Sequence, residues 1–191
     1  MTVNPKGEVI DHQIAETVIC VDERMTYTVV AKILEDETAQ ERVRYRELVP
    51  MFERMAQLSS ILRKRRHARG SIDFDFPETK IILDENGKPQ DIRPYDRNVA
   101  TKIIEDFMLL ANETVAEEYF WREVPFLYRT HEAPDEEKIK KLSTFINNFG
   151  YHIHVGNEVR PKEVQKLLGK VEGTPEESLI SRLALRSMKQ S

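Results

Sequence analysis

Two stretches of this chain place apolar residues three and four positions apart for turn after turn, and a β-hairpin signature lies between them. The first runs from about Tyr45 to His67, with Leu48, Met51, Phe52, Met55, Leu58, Ile61 and Leu62 along one side, the stripe of an amphipathic helix. Gly70 follows, where a residue tolerant of left-handed backbone can end such a helix. The second runs from about Arg97 to Trp121, with Ile103, Ile104, Phe107, Met108, Ala111 and Val115 on a broad apolar face. Between them, Ser71 to Phe76 and Lys80 to Leu83 read as strands, Asn86-Gly87 as a tight turn and Asp91 to Arg93 as the returning strand. This order predicts an α+β class: a small antiparallel sheet packed by several long helices.

The flanks extend the pattern. Val9 to Val21 alternates well enough for a strand, and Thr26 can cap a helix carrying Val29, Val30, Ile33 and Leu34. Phe126 to Arg129 reads as a short strand. Asp135 caps a helix reaching Phe149, with Pro134 just outside it. Two further helices follow. One follows Pro161, and the other opens on Thr174-Pro175-Glu176-Glu177, a capping box with proline at its first helical position, and continues to the end of the sequence. No internal repeat or low-complexity run interrupts the series.

Composition narrows the function classes. A chain of 191 residues has room for one domain or two small ones. At that size folding hides roughly 70% of the unfolded surface, so a core can form. With 40% apolar and 32% charged residues the balance is that of a soluble globular protein. The net charge of −4 argues against a uniformly basic nucleic-acid binder, so any such surface must be local. The single cysteine, Cys20, rules out an internal disulfide and fits a reducing cytoplasm. No stretch is long and apolar enough for a membrane span, and the N-terminus carries no export signal. Asn112-Glu113-Thr114 therefore reads as a chance sequon.

Four constellations bear on chemistry. Arg63-Lys64-Arg65-Arg66-His67, with Arg69 after it, forms a basic run. From Glu41 to Arg69 nine Lys or Arg stand against three Glu, a net of +6. Such a patch supplies salt-sensitive phosphate binding, although cations at a helix C-terminus also complement its dipole. In Asp73-Phe74-Asp75-Phe76 a strand would put both carboxylates on one face and both rings on the other. Two carboxylates suit a hard cation, and Phe74 could stack a base; ordinary half-buried alternation explains the pattern as well. Asn98, Glu105 and Asn112, seven apart, form a polar line on the second long helix, facing either a channel or solvent. His152 and His154 would point the same way from a strand, but a zinc site needs a third protein ligand that no spacing here supplies.

Five segments, taken in order and with their gaps, resemble the middle of the catalytic (RNB) domain of RNase R and RNase II type 3′-to-5′ exoribonucleases. They are Arg24-Met25-Thr26-Tyr27, Arg69-Gly70-Ser71-Ile72-Asp73-Phe74, Ile104 to Asn112, Pro125 to Glu132, and Leu185-Arg186-Ser187-Met188-Lys189-Gln190. The resemblance implies that residues 1–191 are a partial RNB domain, its middle portion. The family's four aspartates that hold catalytic Mg²⁺ would lie upstream, as would a terminal stacking tyrosine. A Pro-Ile-Arg-Arg-Tyr stretch that assists cleavage would lie downstream, and the cold-shock and S1 domains lie outside this chain as well. The parent would then degrade single-stranded RNA from its 3′ end to mononucleotides by metal-assisted hydrolysis, whereas this chain alone is expected to be inactive and to need no metal. The resemblance also places Phe74 where the family stacks RNA bases and Glu105 where it has a glutamate touching RNA near the active site. With these go Arg63, Arg65, Arg66 and Arg69 as expected phosphate contacts. Cut edges would favour self-association. The alternatives are a non-catalytic RNA-binding or interaction module keeping part of this fold, and an unrelated metal-dependent hydrolase using Asp73, Asp75 and Glu105.

Overall fold

Helix caps and turns fix most of the element boundaries. A computed structural model describes residues 1–72, 79–95, 97–130, 132–154 and 161–189. Among the described residues, seven helices and two two-stranded antiparallel sheets are present, and the chain divides into two compact units, one of residues 1–65 and 77–126, the other of residues 66–76 and 127–191.

In the first unit, β1 (Thr2–Val3) pairs antiparallel with β2 (Val9–Asp11). Gly7, with φ +77°, sits in the turn between them, where an added Cβ would come within 3.0 Å of Ile61; only glycine fits that approach. The expected strand from Val9 to Val21 therefore stops at Asp11. Beyond it the chain is irregular, and Val18 and Ile19 lie exposed, so alternation found no partner strand among the described residues to pair with. Thr26 does cap α1 (Tyr27–Glu35), accepting the Val29 N–H at 3.4 Å. A short helix α2 (Gln40–Arg44), not anticipated, then precedes α3 (Val49–Arg69). Its presence moves the start of the long helix from Tyr45 to Val49, with Pro50 in the first turn, where its missing N–H costs nothing. Ile33, Val49 and Phe52 form a small core, with Val29, Val30, Leu48 and Met55 packed on it.

The hairpin matches its signature. β3 (Thr79–Leu83) and β4 (Pro89–Pro94) pair with Ile81 opposite Ile92, and the Asp84 carboxylate accepts the N–H groups of Asn86 and Lys88 across the turn. The face shared by Ile81, Leu83 and Ile92 is exposed, and the described strands form two small antiparallel sheets among the helices, as the α+β class predicts. α4 (Val99–Trp121) begins on Asn98, whose Oδ1 accepts the N–H groups of Ala100 and Thr101, and it packs against α1. Met108, expected on its apolar face, points outward. A largely apolar cleft of about 560 Å³ opens between Met25, Val30, Phe52, Met55, Ala100 and Ile103.

The second unit is a helical cluster: α5 (Glu136–Asn147), α6 (Pro161–Val171) and α7 (Glu177–Ser187). Their buried stripes meet as Ile139, Leu142, Ile146, Val164, Leu167, Val171, Ile180 and Ala184, joined by Ile153. Asp135 caps α5 by accepting the Lys138 N–H, a bond that holds its carboxyl below the ordinary range. The expected capping box is shifted. The Thr174 hydroxyl donates to the Val171 carbonyl at the end of α6, and the Glu177 carboxylate accepts the Gly173 N–H, so α7 starts two residues later than proline placement suggested. α7 ends at Ser187, with Met188 extended, rather than running on. The segment Phe126 to Arg129 is irregular, not a strand.

Candidate nucleic-acid interface

The polar residues singled out above distribute unevenly over these elements. Phe74 lies outside the described residues, as do Asp73, Asp75 and Phe76, and with them the strand expected from Ser71 to Phe76. Glu105 lies two turns into α4, and its Oε2 accepts a hydrogen bond from Arg97 Nη2 at 2.7 Å. Both side chains are about one-third exposed, 38% and 33%.

The next residue along the helix goes the other way. Asp106, with a side chain 1% exposed, is buried in the face that α4 turns to α3. Its Oδ2 accepts from Ser59 Oγ at 2.6 Å and from Arg63 Nη2 at 2.8 Å, and Arg63 also reaches the Lys102 carbonyl. A buried carboxylate is tolerated only when paired and hydrogen-bonded, and these contacts meet that condition. The sequence did carry a signal for this pair. Asp106 follows Ile103 by three on the apolar stripe of α4, and Ser59 falls between Met55 and Leu62 on that of α3.

The basic run does not form a single outward patch. Arg63 turns inward to Asp106, and Arg65 Nη1 donates to the Gly7 carbonyl in the turn between β1 and β2. Arg66 and Arg69 belong to the second unit, where α3 ends. There Gly70, with φ +99°, closes the helix: its N–H bonds the His67 carbonyl, and the Ser71 N–H bonds that of Arg66, the paired arrangement of a Schellman cap. Gln165 of α6 donates to the carbonyls of His67 and Ser71 at 2.9 and 2.8 Å. Gly70 therefore lies against α6, and an added Cβ would meet the Lys162 backbone at 3.3 Å.

At the other end of α4, Glu118 accepts from Arg122 and also meets His12 Nε2 at 3.1 Å, chiefly through Arg122 holding its carboxyl below the ordinary range. The acidic run of α4 is thus partly paired with bases from outside its own stretch. His152 Nδ1 lies 2.7 Å from Asn147 Oδ1. Among the described residues no group of three His, Cys, Asp or Glu side chains converges as a metal cage requires. The described residues therefore offer no ligand set for the Mg²⁺ that the resemblance implies. No described helix is long and apolar enough to cross a membrane.

Comparison with known proteins gives this geometry a context. A family model described as the RNB domain matches residues 1–191. Ribonuclease R of Aquifex aeolicus (strain VF5) is 41% identical over 188 residues, which are 98% of this chain and 26% of that protein. Ribonuclease R of Escherichia coli (strain K12) is 33% identical over 192 residues, 100% of this chain and 23% of that protein. Among solved structures, Mycoplasma genitalium RNase R in complex with double-stranded RNA aligns with a TM-score of 0.71 at 25% identity, over 84% of this chain and 28% of that one. The same organism's RNase R in complex with ribose methylated single-stranded RNA aligns with a TM-score of 0.72 at 24% identity, over 86% and 26%, a likeness of fold. The chain spans about a quarter of the length of the curated relatives it matches. Seven helices and two small antiparallel sheets among the described residues, a family match over residues 1–191 and relatives up to 41% identical agree, and the chain belongs to the RNB-domain family.

Proposed function

We propose that this chain is part of a cytoplasmic 3′-to-5′ exoribonuclease that hydrolyses single-stranded RNA to mononucleotides, and that it supplies a wall of the RNA path rather than the metal site. The observation that carries the reading is the family match along residues 1–191 together with relatives named Ribonuclease R. The RNA-bound Mycoplasma structures make RNA the natural ligand class. The carboxylates that would hold Mg²⁺ are assigned to another part of the longer protein; bound there, the metal would supply an activated water.

The roles within this chain follow from chemistry. Phe74 would grip a base by stacking, worth roughly 1–3 kcal/mol whatever the base. Glu105 has no π face. Its carboxylate, about one-third exposed and anchored by Arg97, would orient the sugar or the attacking water. Of the basic run, Arg63 and Arg65 would act on RNA only by leaving the partners described above.

The test is release of nucleotides from single-stranded RNA labelled at its 5′ end, compared between the longer protein and this chain alone. We expect shortening from the 3′ end by the longer protein and none by the isolated chain. In the longer protein, Phe74→Ala should release longer end products at a nearly unchanged cleavage rate, and Glu105→Ala should slow cleavage at unchanged product length. Nucleotide release by the isolated chain, lost on mutating one of its own residues, would refute the assignment of the metal site elsewhere.

A further inference from the structure

We propose that Arg97 is a positioning residue for Glu105, fixing the direction of its carboxylate and offsetting its charge beside a phosphodiester chain; the inference rests on the reading of Glu105 as a group on the RNA path. Arg97 stands immediately before Asn98, whose side-chain oxygen accepts the N–H groups of Ala100 and Thr101 at 3.0 and 3.1 Å. That cap fixes where α4 begins, and so fixes where the Arg97 side chain departs. From there the guanidinium lies back along the helix to reach a residue eight positions on, donating to Glu105 Oε2 at 2.7 Å.

A second constraint sits one residue further. Asp106 is held by Ser59 and Arg63, so the turn of α4 that carries Glu105 cannot rotate without stripping a buried carboxylate of its partners. The backbone of Glu105 is thus placed by its neighbour, and its side chain by Arg97. Two adjacent carboxylates each have an arginine, and of the two carboxylates Asp106 is buried while Glu105 is partly exposed.

The chemistry gives the outer pair a purpose. A lone carboxylate would repel an approaching polyanion. A paired one keeps its acceptor oxygens while the guanidinium cancels the local charge. Surface ion pairs contribute little to folding, and both partners here are about one-third exposed, so a positional role can be separated from a structural one. Lysine would restore the charge but not the planar guanidinium geometry, so it should rescue only in part.

The experiment uses the longer protein that carries this chain, with Arg97→Gln, Arg97→Lys, Glu105→Gln and the double variant Arg97→Gln/Glu105→Gln. Initial rates on a labelled single-stranded oligoribonucleotide give kcat and KM separately, with thermal melts alongside. We expect Arg97→Gln to lower kcat roughly tenfold with an unchanged melt, and Arg97→Lys to recover part of the loss. In the Glu105→Gln background the further loss on Arg97→Gln should shrink to less than about twofold. An equal fold-loss in both backgrounds, a loss confined to KM, or a lowered melt that accounts for the loss would overturn the positioning role while leaving the exoribonuclease reading standing. An unaltered longer protein that releases no nucleotides would overturn both.

Discussion

The two units solve the same problem with different means. The second brings one stripe from each of α5, α6 and α7 into a single apolar cluster in which Ile139, Ile146, Val164 and Ile180 are fully buried. Among its described residues the first has four helices and two hairpins, yet its buried core is small. It leaves Val18, Ile81, Ile92, Phe120 and Trp121 exposed and keeps a cleft of about 560 Å³ open among Phe52, Met55 and Ile103. What it adds is polar: a buried carboxylate, Asp106, paired with Arg63, and the partly exposed pair of Arg97 with Glu105. A unit held by packing alone can be rigid without any specific polar contact. One that carries a candidate ligand path spends part of its interior on groups that fix direction. The lesson is a division of labour in which the apolar unit supplies stability and the polar unit supplies geometry.

That contrast can be broken by mutation, and the expected effects fall in a clear order. Leu167→Ala, at the centre of the second unit, should cost about 2–5 kcal/mol in chemical denaturation, as large-to-small core changes do. A cost below about 1 kcal/mol would mean that this unit is not the better packed of the two. Asp106→Asn should cost about 2 kcal/mol. That is less than the roughly 3–5 of a fully buried pair, because Arg63 is a third exposed and can turn to water. Adding Arg63→Met should recover part of it, and no recovery would show that Asp106 acts without Arg63. Asn98→Ala, which strips two N–H groups of their acceptor, should cost about 1 kcal/mol by the same measurement. Ile92→Thr should change stability by less than about 0.5 kcal/mol, since its side chain already lies in water. It should nonetheless reduce self-association at high concentration, read by light scattering, if exposed apolar faces drive it; an unchanged scattering profile would free the hairpin of that role.

How much of this was legible in the sequence depended on range. Thr26, Asp135, Gly70, Asn86-Gly87 and Pro161 act within a turn of themselves, and each marks the boundary expected of it. The failures are long-range. Alternation from Val9 to Val21 and the apolar run Phe126 to Arg129 describe strands only if partners exist, and among the described residues those stretches find none beyond β1. Thr174 looked like a cap for the helix that follows, but the open carbonyl of Val171, which precedes it, takes its hydroxyl first. At the candidate site, Glu105 was legible as a polar residue on α4, and its placement by Arg97 was not, because the pair bridges a helix start. The basic run was legible as charge. That Arg63 faces inward depended on Asp106, which the eye assigns to an acidic, solvent-facing run.

The Asp106 cluster also has a consequence for the order in which the first unit folds. Its hydrogen bond to Ser59 joins positions 47 apart in sequence. Closing a loop of that length carries an entropic cost that must be met before the bond can form. α4 carries its own cap at Asn98 and can form locally, while the carboxylate stays hydrated until α3 arrives. Docking of the two helices is then the step at which Asp106 leaves water, with Ser59 and Arg63 already in place or not at all. On this view the cluster is a late latch: stopped-flow measurements on Asp106→Asn should show faster unfolding with a nearly unchanged refolding rate.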